Sequence, residues 1–102
     1  MSSQRTNIPN SLNEHWMPFS DNKSFKKNPR LITDAKGVYL TNHLGKKMID
    51  ASSGLFCNPL GHGRKEITEA VSKQLEKLDY CQPFNQGFGG SFELATRIAK
   101  KT

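Results

Sequence analysis

Two cysteines and three histidines are the side chains of this sequence with the most versatile chemistry, and their spacing decides what they can do. A metal site needs three or four His, Cys or acidic ligands at short intervals. Cys57, His62, Cys81 and His43 form no CxxC, HxH or HExxH pattern, so metal binding is not expected. Cys57 as a nucleophile with His62 as its base would need a third group to orient the imidazole, and no neighbour in the sequence declares itself as one. The expectation for Cys57 is therefore a small buried thiol. Gly61-His62-Gly63 runs into Arg64-Lys65-Glu66, which lacks the third glycine of a dinucleotide fingerprint and the lysine of a P-loop. Gly87-Phe88-Gly89-Gly90 stands just before a helix start, where free N–H groups attract anions, but its glycines read first as a flexible loop. His15, beside Trp16, is expected to pack or to face solvent. These motifs alone make no complete active site.

The elements that must position these residues follow from periodicity. Residues 1–13 read as a disordered lead-in that joins a short helix around Ser11–Trp16. Trp16-Met17-Pro18-Phe19 gathers two aromatics and a Met around a proline, an apolar and irregular segment that calls for a surface to lie against. After a polar link from Ser20 to Asn28, three short alternating runs read as strands: Arg30–Thr33, Val38–Thr41 and Lys47–Asp50. Asp34-Ala35-Lys36-Gly37 and Asn42-His43-Leu44-Gly45 read as the turns between them, so the expected unit is a three-stranded antiparallel meander. Ala51–Gly63 is too irregular for a helix and too long for a tight turn. An amphipathic helix is expected over Arg64–Asp79, with Ile67, Ala70, Val71, Leu75 and Leu78 on one face and Lys65–Glu69 and Glu69–Lys73 pairs on the other. A last helix is expected to start near Ser91 as N-cap and to present Leu94, Ala95, Ile98 and Ala99.

Composition sets the outer limits. The chain has 102 residues, of which Leu, Ile, Val and Phe make up 22. Its mean hydropathy is −0.67. A domain of this size buries only about 60–70% of the surface its unfolded chain exposes, so its core is modest and stable folding alone is in question. No run of ~18 apolar residues appears and the first twelve residues lack a signal-peptide core, so membrane spanning and classical secretion are not expected. Two cysteines fit free thiols in a reducing cytoplasm better than a disulfide scaffold. The net charge of +6 comes from scattered basic singles and pairs with no block and no RNA-binding pattern, which argues against a nucleic-acid partner.

One family fits the order of the pieces. Trp16-Met17-Pro18-Phe19, Pro29-Arg30-Leu31-Ile32, Gly37-Val38-Tyr39-Leu40, Gly45-Lys46-Lys47-Met48-Ile49-Asp50, Ser53-Gly54-Leu55-Phe56-Cys57 and Gly61-His62-Gly63-Arg64-Lys65-Glu66-Ile67 together resemble the N-terminal quarter of class III pyridoxal-phosphate aminotransferases. The likeness runs from about Glu14 to Ala99 and is closest to the branch that moves an amino group from β-alanine and other ω-amino acids to pyruvate. It implies an α/β chain, the N-terminal part of the type I aminotransferase fold. Residues 14–86 would give the meander and helix of a small domain, and residues 87–102 the start of the large cofactor domain.

The resemblance also implies site residues. Phe19 would line the substrate pocket, Leu55 and Phe56 its wall, and Phe84 would reach across a dimer into the partner's site. Phe56 stands where relatives usually carry Trp, which would widen the pocket and remove an indole N–H. Phe88-Gly89 replaces a common His-Pro, and Asn58-Pro59-Leu60 alters the usual bridge from Cys57 to Gly61. The lysine that carries pyridoxal 5′-phosphate, its carboxylate partner and its phosphate donors would all lie beyond position 102. The resemblance thus implies a cytoplasmic homodimeric or homotetrameric transaminase in its intact form, acting on an amino donor and pyruvate, with the 102-residue chain inactive alone. The alternative from a different class is a non-catalytic module that binds a partner through the apolar patch of Trp16, Met17 and Phe19.

Overall fold

The computed structural model describes residues 8–102, so residues 1–7 of the expected lead-in lie outside the described residues. Six elements follow in order: α1 (Asn22–Lys27), β1 (Ile32–Lys36), β2 (Tyr39–Asn42), β3 (Lys47–Ile49), α2 (Lys65–Lys77) and α3 (Gly89–Ala99). The chain forms two compact units, one ending at Arg64 and the other starting at Lys65.

The first unit carries the expected meander, with strand order β1-β2-β3 and both pairings antiparallel. Its first strand lies further along than the alternation suggests. Asp34, Ala35 and Lys36 pair with Thr41, Leu40 and Tyr39, leaving Gly37 and Val38 as the whole turn. Gly37 has φ +59, a conformation glycine adopts without a Cβ penalty. The register shifts between Ile32 and Asp34, and the Thr33 hydroxyl beside that irregularity lies 3.3 Å from the carbonyls of Thr41 and Asn42. The turn from β2 to β3 is organised by Asn42, whose side-chain oxygen accepts from Leu44 N–H at 3.0 Å and Lys46 N–H at 2.8 Å.

Two expectations ahead of the sheet are corrected. Ser11–Trp16 contains a turn and no helix: the Asn10 side chain accepts Leu12 N–H at 2.8 Å and Leu12 has φ 64. That local Asx geometry competes with helix formation. The supposed polar link instead contains α1, capped by Asp21, whose carboxylate accepts Ser24 N–H at 3.2 Å.

In the second unit α2 is shorter than expected, and its Lys65–Glu69 pair forms at 3.6 Å on the exposed face. The expected Ser91 cap is also corrected. α3 starts at Gly89 after Phe88, and the Ser91 hydroxyl donates back to Phe88 C=O at 2.7 Å. Among the described residues no apolar side chain is buried; Asn22 and His43 are the buried residues, both polar. Ile67, Val71, Leu75 and Leu78 on α2, and Phe92, Leu94 and Ile98 on α3, are all exposed. Among the described residues no helix is long and apolar enough to cross a membrane.

Candidate functional site

The loop from Ala51 to Gly61 has both of its ends fixed on the meander. Asp50 N–H donates to Val38 C=O at 2.8 Å, and Gly37 and His62 exchange backbone hydrogen bonds of 2.9 and 2.8 Å. Gly61 makes that approach feasible, because a Cβ there would stand 3.3 Å from Gly37 O at φ +93.

Within the loop Ser53, Gly54, Leu55 and Phe56 have consecutive φ values of 52, 58, 58 and 68. Phe56 N–H donates to Ser52 C=O at 3.0 Å, so the segment winds through a turn of the left-handed sense. Each non-glycine residue in this region costs about 1–2 kcal/mol, and the sequence supplies only one glycine. The turn needs support from elsewhere.

Polar side chains supply it. The Asp50 carboxylate, 7% exposed, accepts the His62 Nε2–H at 2.8 Å. It also accepts Gly54 N–H at 3.2 Å and the Ser52 hydroxyl at 3.1 Å. On the other side of the imidazole, the Asn58 amide donates to Nδ1 at 2.7 Å, which fixes the ring proton on Nε2, facing Asp50. Asn58 N–H donates to Ser53 C=O at 2.8 Å, closing the network on the turn. The His62 hydrogen bond, followed by that from Gly54 N–H, holds the Asp50 carboxyl below its ordinary pKa of 3.8, against the opposing effect of burial. A cavity of about 280 Å³ lies against the network, lined by Gly37, Val38, Asp50, Asn58 and His62 among others.

Two sequence expectations change here. Cys57 is exposed, its thiol 3.6 Å from Leu55 C=O, and not a buried thiol. The carboxylate that orients His62 is Asp50, twelve residues upstream. Both ring nitrogens are thereby occupied, so His62 has no lone pair to offer as base to Cys57. Neither Asp50 nor Asn58 stands out in the sequence, because the loop that joins them to His62 announces no geometry.

Leu55 and Phe56 stand 76% and 85% exposed on the left-handed turn. Phe19, 109% exposed, has φ 51 and lines a cleft of about 440 Å³ with Asp21, Phe25 and Arg30. Its loop is held by the buried Asn22 side chain, which accepts Met17 N–H at 2.7 Å and donates to Met17 C=O at 2.9 Å and Ser20 C=O at 3.1 Å. Three of the four residues named for the pocket wall thus share a strained backbone and an exposed apolar side chain. Phe84, also exposed, precedes Asn85 with φ 55 in the second unit. Trp16 is exposed beneath the ammonium of Lys26, 5.9 Å from its ring, and His15 faces solvent. Among the described residues no cluster of three His, Cys, Asp or Glu side chains could hold a metal ion.

No family model matches the chain. Solved structures do: the adenosylmethionine-8-amino-7-oxononanoate aminotransferase of Methanocaldococcus jannaschii superposes with a TM-score of 0.78 at 32% identity over 86% of this chain and 20% of that one. An amine transaminase from an uncultivated Pseudomonas species, solved in its PLP-bound form, gives 0.77 at 29% identity over 86% and 20%. The fold is that of the N-terminal region of pyridoxal-phosphate transaminases. In sequence, the β-alanine–pyruvate aminotransferase of Pseudomonas aeruginosa is 51% identical over 89 residues, 87% of this chain and 20% of that protein. The ω-amino acid–pyruvate aminotransferase of Pseudomonas putida is 47% identical over 91 residues, 89% and 20%. Over these residues the chain is similar to aminotransferases that use β-alanine or other ω-amino acids with pyruvate. It spans about a fifth of the length of the curated relatives it matches.

Among the described residues there is no site for pyridoxal phosphate, the cofactor bound in the Pseudomonas amine transaminase structure. A lysine that carries it must be held in a pocket that tunes its amine. Every lysine here is exposed except Lys26, which is half-buried with its ammonium bonded to Asn13 C=O at 3.2 Å. The Asp50 carboxylate is committed to His62.

Proposed function

We propose that this chain is the N-terminal fifth of an ω-amino acid (β-alanine):pyruvate aminotransferase, whose intact form transfers an amino group to pyruvate with pyridoxal 5′-phosphate as cofactor. The observation that carries this reading is the 51% identity to the β-alanine–pyruvate enzyme over 87% of the chain. In this reading residues 14–86 contribute to the small domain and 87–102 open the cofactor domain, while the cofactor lysine, its carboxylate partner and the phosphate donors come from sequence that the chain does not contain.

The role of the chain's own residues is to shape the amino-donor pocket. Phe19, Leu55 and Phe56 present rigid apolar surface that accepts a short carbon chain and excludes water, with few rotamers to freeze. Phe84 completes the wall of the neighbouring subunit in a homodimer or homotetramer. Phe56 leaves more room than an indole and offers no N–H. The absence of any buried apolar side chain among the described residues supports this reading over a free-standing module, because a module of this size needs a core of its own. The test is to isolate the native polypeptide from its source cells through the peptide Glu66–Lys73 and assay alanine formation from β-alanine and pyruvate. Turnover that depends on both substrates is expected; a pure, folded polypeptide without it, in the presence of added cofactor, overturns the reading.

A further inference from the structure

The left-handed turn at Ser53–Phe56 poses a physical question. Three non-glycine residues in that conformation cost about 1–2 kcal/mol each, and such strain persists only where the surroundings over-determine it. Apolar packing does not do so, because Leu55 and Phe56 are both mostly exposed. The support is the hydrogen-bonded chain Ser52–Asp50–His62–Asn58, with Gly54 N–H on the same carboxylate.

We infer that Asp50, His62 and Asn58 are positioning residues: their hydrogen-bonded chain holds the turn and so sets where the Leu55 and Phe56 side chains stand. The residue types suit the task. A neutral imidazole offers an N–H on one side and a lone pair on the other at a fixed separation, so it joins an acceptor to a donor. A lysine would satisfy Asp50 and leave Asn58 facing another donor. The device is also self-contained, since every partner lies between Gly37 and His62. The backbone pairing of Gly37 with His62 is independent of the His62 side chain, so the ends of the loop stay fixed when the imidazole is removed. That Leu55 and Phe56 meet an amino donor rests on the function proposed above, whereas the hold on the turn does not.

The experiment is solution NMR on the full 102-residue chain at neutral pH. A residue with positive φ gives a strong intraresidue HN–Hα NOE, and the imidazole 15N shifts report which ring nitrogen carries the proton. Wild-type chain should show strong NOEs at Leu55 and Phe56 and a proton on His62 Nε2. His62→Ala should lose both NOEs while the cross-strand NOEs of the meander and of Gly37 with residue 62 persist. Asn58→Ala should weaken them, and His62→Gln, which keeps a donor to Asp50, should recover part of the signal lost in His62→Ala. Wild-type chain without the two strong NOEs overturns the proposal. So does His62→Ala that retains them, or loss of the sheet NOEs together with the turn in both His62→Ala and Asn58→Ala, which would mark a general structural role. The readout does not involve transamination, so failure of the proposed function and failure of this inference are separate results.

Discussion

Between Tyr39 and His62, the β2–β3 turn and the long loop are each tied to named polar side chains: Asn42 at the turn, and Asp50, Asn58 and His62 around the loop. From Lys65 to Ala99 the chain is almost the reverse, two regular helices with their apolar faces exposed and the exposed Lys65–Glu69 ion pair on α2. The first region carries its own order in short-range hydrogen bonds. The second depends on burial that these residues do not provide for themselves, since helices of 13 and 11 residues are marginal in water without tertiary packing. Shape in the first region is written locally, whereas the apolar stripes of α2 and α3 have no such local hold.

The largest expected effect follows from that contrast. In hydrogen exchange on the isolated chain, amides of α2 and α3 should exchange near the unprotected rate, while Gly37 and His62 N–H groups should be slower by at least about tenfold. Equal protection in the two regions would break the comparison. Next in size, Asn22→Ala removes the side chain that accepts from Met17 and donates to Met17 and Ser20. It should cost about 1–3 kcal/mol of local stability and release the strained Phe19 backbone. An unchanged denaturation midpoint and an unchanged Phe19 HN–Hα NOE would contradict this. In the opposite direction, Phe56→Gly removes the Cβ penalty at φ 68 and should stabilise the loop by about 1 kcal/mol at most, read as slower exchange of Phe56-neighbouring amides.

The smallest effect at neutral pH is the titration of Asp50. Its folded pKa lies below the ordinary 3.8, chiefly through the His62 N–H, so its contribution to stability is complete above that value and is lost as pH falls through the lower folded pKa. The carboxyl 13C shift of Asp50 should therefore titrate with a midpoint below 3.8 in wild type and move upward in His62→Ala. A wild-type midpoint at or above 3.8 would remove the electrostatic part of the account.

Much of the fold is legible in the residues. Alternating apolar positions and turn glycines disclose the meander, and the 3.6-residue spacing of Ile67, Ala70 and Val71 discloses α2. The displaced β1 shows the limit: Gly37 with Val38 suffices for the turn, so Asp34 to Lys36 remain free to pair. α1 escapes because six residues carry too little periodicity to register, and only Asp21 as cap signals it. The family likeness singles out Phe19, Leu55, Phe56 and Phe84 as the residues proposed for a pocket wall. The handedness of Ser53–Phe56 is not legible, because it comes from a carboxylate and an imidazole that are distant in sequence and meet only once the loop closes.

If this chain is the front part of a β-alanine–pyruvate-type aminotransferase, the intact mass of the native polypeptide that contains Glu66–Lys73 decides it. Since 89 matched residues are 20% of the Pseudomonas aeruginosa relative, that protein has about 445 residues, and a mass four to five times 11.5 kDa is expected. A native polypeptide of 11.5 kDa, with no second chain carrying a cofactor lysine bound to it, would contradict the claim.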